Sequence, residues 1–259
     1  VPAHREITVR DLMTHTSGLG SGGAAASETA RIAPRRSSDN LANYIPTLGA
    51  APLDFQPGTQ WAYSGLAGID TLGRIVEGAS GLTFDEFLRQ RIFEPLGMKD
   101  TAFFPTKDRM PRVVTLYNRT PNGLARREVP GWVDTTTLFS GGGGLWSTAE
   151  DYLQFAQMLV NGGALGGTRL LGLRTGDLMA ANHVGGRAGM GFGLTVDVVL
   201  DAVKARQHRS TGSFGWGGAF GTNFWVDRAE EMTGVLMVQT PGGSLRADFQ
   251  NAVMQAIID

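Results

Sequence analysis

The sequence contains no cysteine and only three lysines, and these shortages exclude several kinds of functional site. Disulfides, thiolate nucleophiles and cysteine-ligated metals all need a residue that is absent. The four histidines are scattered and form no His-Glu-x-x-His pair, so nothing in the sequence supports a zinc site. We therefore expect neither a metal nor an organic cofactor.

A strong charge of one sign and long apolar segments are also missing. The formal net charge is -1, so no overall field attracts nucleic acid or an anionic membrane surface. No apolar segment is long enough to span a bilayer. Hydrophobic residues make up 42% of the 259 residues, which is enough for one large domain or two joined subdomains. These features give no support for a nucleic-acid partner or a membrane span, and they leave a small-molecule substrate open.

Three common functional motifs are absent or out of context. Residues 18–23 formally match Gly-x-Gly-x-x-Gly, but they follow a helix rather than a strand, which favours a flexible loop over a dinucleotide site. No serine stands at the centre of a Gly-x-Ser-x-Gly elbow, and no Gly-Lys pair exists. An α/β-hydrolase elbow and a P-loop are therefore excluded.

The first two thirds of the chain have helical periodicity. Thr8 and Asp11 have the spacing of a helix N-cap and its third residue, so a capped helix is predicted there. Further helix starts are predicted at Thr83 and Ser147, each followed by an acidic residue three positions later. Apolar spacing also predicts helices near Asp39–Leu48 and after Gly65.

The pattern changes after about residue 188. Short β-branched and aromatic segments predict strands near 191–199, 222–227 and 233–239. The last two flank a polar turn and are expected to pair as an antiparallel hairpin, before a final helix that starts at Ser244. We predict an α+β fold with a mostly helical subdomain over residues 1–185 and a strand-rich subdomain over residues 186–259.

Three segments, taken in order, resemble the class C β-lactamase superfamily. They are the phrase Leu-Met-Thr-His-Thr-Ser-Gly-Leu at 12–19, the triplet Tyr-Ser-Gly at 63–65, and Trp-Gly-Gly at 216–218 before a strand. That superfamily includes penicillin-binding D-alanyl-D-alanine carboxypeptidases and the family VIII carboxylesterases. The resemblance covers essentially the whole chain. It implies a β-lactamase-like fold, with an antiparallel sheet flanked by helices and a mostly helical subdomain.

The resemblance also implies a set of site residues. Acyl transfer needs a nucleophile, a base and donors for the oxyanion. By resemblance, Tyr63 moves the proton and the backbone N–H of Ala219 donates to the oxyanion. The substrate would contact Trp216, Gly217, Gly218, Ser140, Phe139 and Phe192. The alternatives are an aromatic anchor at a helix start for Tyr63 and a glycine-rich turn for 216–218. His15 is expected to be structural and bonded to backbone.

Two departures from the lactamase pattern favour an ester substrate. Gly65 stands where the lactamase triplet has an asparagine, and Trp216 stands where lactamases have the lysine of Lys-Thr-Gly. An amide and a cation that hold a β-lactam are thereby lost, whereas tryptophan offers apolar surface. The resemblance therefore implies a carboxylesterase acting on short-chain esters. The alternatives are a β-lactamase or a D-alanyl-D-alanine carboxypeptidase that acts on a lactam or peptide.

The nucleophile of this family is missing from the given residues. It is a serine three positions before a lysine, and none of the three lysines here has a serine in that place. The resemblance puts Ser-x-x-Lys upstream of Thr14. We expect a preceding segment of the same protein to supply it, together with the N-terminal strands. The alternative is a catalytically dead scaffold or binding protein of the same fold.

Overall fold

The structure is a computed structural model, and it describes residues 1–127 and 137–258. The chain forms two compact units. The first contains residues 1–91, 102–104 and the described part of 131–146. The second contains residues 92–101, the described part of 105–130, and 147–258.

The first unit is helical, as its sequence periodicity predicts. Its helices are α1 (Val9–Met13), α2 (Ala26–Ile32), α3 (Leu41–Leu48), α4 (Ala67–Ser80) and α5 (Phe84–Leu88). A buried cluster joins α1, α3 and α4 with the loop after α1, and its members are Leu12, Leu19, Ala33, Tyr44, Leu48 and Ala67. The chain then passes through a π-helical turn, Arg89–Phe93, into the second unit, where the short helix α6 (Glu94–Leu96) follows.

The helix starts predicted at Thr8 and Thr83 are confirmed, and the one predicted at Ser147 lies one residue later. The Thr8 side chain accepts a hydrogen bond from the Asp11 amide, and the Asp11 carboxylate accepts one from the Thr8 amide. Thr83 precedes α5, yet its side chain makes no capping bond. The helix predicted to start at Ser147 is capped one residue later by Thr148, because the Ser147 hydroxyl bonds Thr101 Oγ1 at 2.8 Å instead.

The second unit is built on a five-stranded antiparallel sheet in the order β5-β6-β7-β8-β9. Its strands are β5 (Met190–Phe192), β6 (Asp197–Val199), β7 (Phe214–Gly217), β8 (Asn223–Asp227) and β9 (Met232–Leu236). The predicted strand over 191–199 is two strands, since Gly193 donates to the Val196 carbonyl in a turn between them. The predicted hairpin is confirmed as β8 and β9.

The remaining elements of the second unit are small apart from two helices. Two antiparallel hairpins precede the sheet, β1 (Leu116–Thr120) with β2 (Gly123–Arg127) and β3 (Ala164–Leu165) with β4 (Thr168–Arg169). A 3-10 turn covers Met110–Arg112, and the helices are α7 (Ala149–Val160), α8 (Leu173–Ala180), α9 (Ala202–Ala205) and α10 (Leu245–Gln255). Ser244 precedes α10, but its side chain makes no capping bond.

Helices cover both faces of the sheet. Adjacent side chains of a strand point to opposite faces, so neighbouring residues of β8 contact different helices. Phe224 of β8 contacts Tyr152 of α7, with ring centroids 5.2 Å apart. Its neighbour Trp225 is fully buried and contacts Phe249 of α10 at 5.7 Å. The predicted antiparallel sheet flanked by helices is therefore confirmed.

Helix α7 also explains why the compact units differ from the predicted division at residue 185. That division placed α7 with the preceding helices because it follows them in sequence. Helix α7 packs against β8 and β9 of the sheet and also against β3, so the helix is part of the sheet unit. No helix in the described ranges has the length and apolar character needed to cross a bilayer.

Candidate active site

Tyr63 lies in the first unit, on the short turn that leads into α4. Its side chain is 48% exposed, so the phenol is available to solvent. The ring contacts the imidazole of His15 edge-on, with centroids 4.8 Å apart and planes at 72°. The turn is anchored by Ser64, whose hydroxyl donates to the Leu19 carbonyl and accepts from the Gly68 amide. The structure therefore holds an exposed tyrosine on a tightly bonded turn.

Gly65 leaves space for the ring of Tyr63 in the orientation that the structure shows. A Cβ at residue 65 would lie 2.5 Å from Cε1 and 2.7 Å from the hydroxyl oxygen of Tyr63. The sequence pattern indicated only that an asparagine side chain is missing here. The structure adds that the ring of Tyr63 takes the space in which such a side chain would begin.

The segment with Ser140 is bonded to the start of α4 in the same unit. The Ser140 hydroxyl donates to Asp70 Oδ1 at 2.6 Å, and Asp70, which is fully buried, also pairs with Arg35. A Cβ on Gly142 would lie 2.0 Å from the Gly65 carbonyl oxygen, so only glycine allows this close approach. Ser140 is buried and its hydroxyl is engaged by Asp70, so its contact with substrate stays a prediction.

Phe139 lies in an aromatic cluster of the first unit. Its ring centroid is 5.2 Å from that of Phe103 and 6.2 Å from that of Phe104. Phe103 is almost fully buried and also contacts Phe84 of α5. Phe139 therefore packs beside the Ser140 segment, and its contact with substrate likewise stays a prediction.

Trp216 and Phe192 are brought together in the second unit. Their rings meet edge-on at 5.2 Å, across β5 and β7. Phe192 is 3% exposed, whereas Trp216 is half-buried. The buried ring of Phe192 therefore packs against the indole of Trp216, and the indole keeps an accessible apolar surface.

The Trp-Gly-Gly motif ends in a tight turn between β7 and β8. The Gly218 amide donates to the Thr222 carbonyl at 2.8 Å, and the Gly221 amide donates to the Gly218 carbonyl at 3.1 Å. Ala219 lies at the exposed tip of this turn. Within the described ranges its N–H donates to no backbone or side-chain acceptor. A backbone N–H that is not already donating can donate to a bound oxyanion.

Arg246 was not found by sequence reasoning, although it brings a cation to this motif. A Cβ on Gly217 would lie 2.5 Å from Nη1 of Arg246, so the guanidinium rests against the β7 backbone. Trp216 stands where the lactamase pattern has a lysine. The guanidinium of Arg246 nevertheless places a positive charge beside the next residue, Gly217. Arg246 belongs to α10, thirty positions from the motif, and no local pattern links the two.

A buried pair of charges lies beside Arg246. Arg209 Nη1 is 3.6 Å from Asp197 Oδ1, and the Arg209 side chain is 4% exposed. Burial raises the pKa of the Asp197 carboxyl, while the positive charges of Arg209 and Arg246 act in the opposite direction. Burial lowers the pKa of Arg209, which nevertheless remains charged because guanidinium pKa values are so high.

Histidine and acidic side chains do not gather into a metal-binding group of three in the part of the chain that the structure describes. Asp70 and Asp227 are fully buried and bound by Arg35 and by the Ser210 amide respectively, while the partly buried Asp197 lies beside Arg209. These interactions are those of structural carboxylates.

Comparison with known sequences identifies the family. The family model described as Beta-lactamase matches residues 1–257. Protein Rv1367c of Mycobacterium tuberculosis is 32% identical over 256 residues, covering 92% of this chain, and the chain spans 63% of that protein. Esterase EstB of Burkholderia gladioli is 29% identical over 274 residues, covering 97% of this chain and 69% of the esterase.

Solved structures give the same result for the fold. The hydrolase EstCE1, described as having promiscuous acyltransferase activity, superposes with a TM-score of 0.84 at 26% identity. The match covers 96% of this chain and 72% of EstCE1. Penicillin-binding protein from Bacillus halodurans superposes with a TM-score of 0.70 at 21% identity, over 96% of this chain and 72% of that chain. The chain belongs to the beta-lactamase family and has its fold.

Proposed function

We propose that this protein is a serine esterase that hydrolyses short-chain esters through an acyl-serine intermediate. The observation that carries the proposal is the turn at Tyr63 and Gly65, which exposes a phenol and leaves no room for the lactamase amide. Relatives named as esterases support this choice. The serine is proposed to come from a Ser-x-x-Lys segment that precedes these residues in the source protein.

The proposed mechanism uses two groups of this chain. The serine oxygen attacks the ester carbonyl, and its proton passes to the Tyr63 oxygen, which must first have given up its own proton. Tyr63 then returns a proton to the departing alcohol, leaving the acyl group on serine. The N–H of Ala219 and that of the serine donate to the oxyanion. Water, or an alcohol, then releases the acyl group by the reverse proton transfers.

The substrate side of the proposal rests on Trp216, Gly217 and Gly218. The indole offers an apolar surface for an acyl chain or alcohol, supported by Phe192. The two glycines allow a substrate to approach the β7 backbone closely. Phe139 and Ser140 of the first unit are also proposed to contact the substrate.

The test uses the complete source protein that contains these residues. Tyr63→Phe is expected to lower kcat for p-nitrophenyl butyrate about 100-fold or more, with unfolding unchanged, because only the hydroxyl is removed. Tyr117→Phe is the matched control, since Tyr117 is a partly exposed tyrosine on β1. Equal ester turnover by wild type and Tyr63→Phe would remove Tyr63 from the mechanism.

Two further readouts separate the alternatives. A fluorophosphonate should label the upstream serine, and a protein that is neither labelled nor active on esters would be a scaffold. A β-lactamase would turn over nitrocefin at a rate comparable to that of the ester. We expect the ester to be strongly preferred.

A further inference from the structure

His15 directly follows helix α1 and its C-cap residue, and it is almost completely enclosed. Its relative exposure is 2%, and its backbone has a positive φ of 56°. Left-handed backbone is uncommon for residues other than glycine, and histidine and asparagine are among the side chains enriched there. The position is therefore specialised before any role in function is considered.

His15 holds both residues that flank Tyr63. Its carbonyl oxygen accepts a hydrogen bond from the Ala62 amide at 3.0 Å. Its ring nitrogen Nδ1 accepts one from the Ser64 amide at 3.3 Å. One residue thus fixes the backbone on each side of the proposed catalytic tyrosine.

The imidazole also limits where the tyrosine ring can point. The ring centroids of His15 and Tyr63 are 4.8 Å apart, and on its other side His15 meets Trp61 edge-on at 6.2 Å. Edge-to-face contacts of this kind favour a particular ring orientation. The phenol is exposed, yet its ring is in contact with a buried side chain.

The hydrogen bond to Ser64 requires a particular form of the imidazole. Nδ1 can accept only when it carries no proton, so the neutral ring must be protonated on Nε2. Burial lowers the pKa of His15 to about 4, which keeps the ring neutral near pH 7. Burial acts alone here: nearby Asp11 pairs with Arg5, Asp70 pairs with Arg35, and neither shifts this histidine.

We propose that His15 is a positioning residue for Tyr63. Its two hydrogen bonds to backbone amides fix the position of the turn that carries Tyr63. Its ring contact fixes the orientation of the phenol. This inference rests on the catalytic role proposed for Tyr63. It assigns the histidine of the Thr-His-Thr-Ser motif a function in the ester reaction without contact to the substrate.

The test compares two replacements that both accept a left-handed backbone. His15→Asn retains an acceptor atom near the place of Nδ1, whereas His15→Gly removes the acceptor and the ring. In the complete source protein, His15→Gly is expected to lower kcat about 100-fold with KM within a few-fold of wild type. His15→Asn should recover kcat to within about tenfold of wild type.

Glu231→Gly is the control for a change at a left-handed residue, since Glu231 has φ 49° in the turn between β8 and β9. Its kcat should equal that of wild type. The inference is wrong if His15→Gly retains the wild-type kcat, or if the asparagine and glycine variants are equally impaired. It is also wrong if KM alone changes. A wild-type protein that hydrolyses no ester would instead defeat the proposed function.

A measurement on the wild type covers the case in which His15→Gly does not fold. The ¹⁵N chemical shifts of the imidazole should identify a neutral ring protonated on Nε2 near pH 7. A ring protonated on Nδ1, or a cation, cannot accept from Ser64 and would overturn the inference without any assay of activity.

Discussion

The ring of Tyr63 lies over Gly65, at the place where a side chain on residue 65 would begin. The missing asparagine of the lactamase triplet and the position of the tyrosine are therefore one structural fact. A phenol folded onto residue 65 and a side chain on that residue are mutually exclusive.

Restoring the amide should displace the tyrosine. In Gly65→Asn the new Cβ would lie within 2.7 Å of two ring atoms and the hydroxyl oxygen of Tyr63, so the ring must rotate away. We expect the kcat/KM for ester hydrolysis to fall about tenfold or more, because a displacement of about 1 Å at a reacting group can cost that much. Stability should change little, since the Tyr63 side chain is 48% exposed and gives up little buried surface when it rotates.

Gly185→Asn is the control for this change. A Cβ on Gly185 would meet no atom within 4 Å, and the residue does not have a positive φ. Its ester kinetics should match those of wild type. Unchanged kinetics in Gly65→Asn would show that the tyrosine functions in a different orientation.

Asp70 is expected to be a principal determinant of stability in the first unit. It is fully buried, pairs with Arg35 and accepts hydrogen bonds from the Ser140 hydroxyl and the Gly142 amide. Asp70→Ala should lower the free energy of unfolding by about 3–5 kcal/mol, because the partners are left without a charge to bind. Urea denaturation measures the change.

Two other substitutions should lower the free energy of unfolding by less than Asp70→Ala does. Ser140→Ala removes the hydrogen bond donated to Asp70 and the one accepted from the Gly142 amide, and it should cost about 1–2 kcal/mol. Asp177→Ala breaks the exposed pair with Arg228, whose atoms are 3.1 Å apart, and should cost less than about 1 kcal/mol. Equal losses for Asp70→Ala and Asp177→Ala would contradict the structural role assigned to Asp70.

Stability should depend on pH through His15. Its pKa of about 4 in the folded protein is lower than the unfolded value near 6.5, so protons bind the unfolded chain more readily. The resulting stabilisation is fully present above about pH 6.5 and is lost as the pH falls to about 4, at most about 3 kcal/mol. Urea denaturation across this range should be compared with His15→Asn, in which the decline must be shallower.

Two glycines of β7 should tolerate alanine very differently. A Cβ on Gly215 would lie 2.2 Å from the Phe224 carbonyl oxygen, which is backbone and cannot move aside. A Cβ on Gly217 would meet Nη1 of Arg246, the mobile end of a long side chain. Gly215→Ala should therefore destabilise by about 2 kcal/mol or more and Gly217→Ala by less than about 1 kcal/mol, as thermal unfolding would show. Equal losses would mean that Arg246 is held rigidly.

Local sequence determined those features that depend on a few neighbouring residues. The capping box at Thr8 and Asp11 forms because donor and acceptor lie three positions apart on one turn. The hairpin of β8 and β9 forms because two β-branched and aromatic segments flank a polar turn. The three motifs identified the family, because each retains residue types that the chemistry and the turns require.

Tertiary structure decided what depends on distant partners. Thr148 rather than Ser147 caps α7 because Thr101, more than forty positions earlier, bonds the Ser147 hydroxyl. Helix α7 belongs to the sheet because its apolar face finds β8 and β9, which no spacing within the helix can indicate. Likewise, the guanidinium behind Gly217 depends on where α10 docks. Short-range hydrogen bonds can be predicted from the spacing of residues along the sequence. Burial, and the close approach of two segments, depend on which surfaces of the folded chain meet.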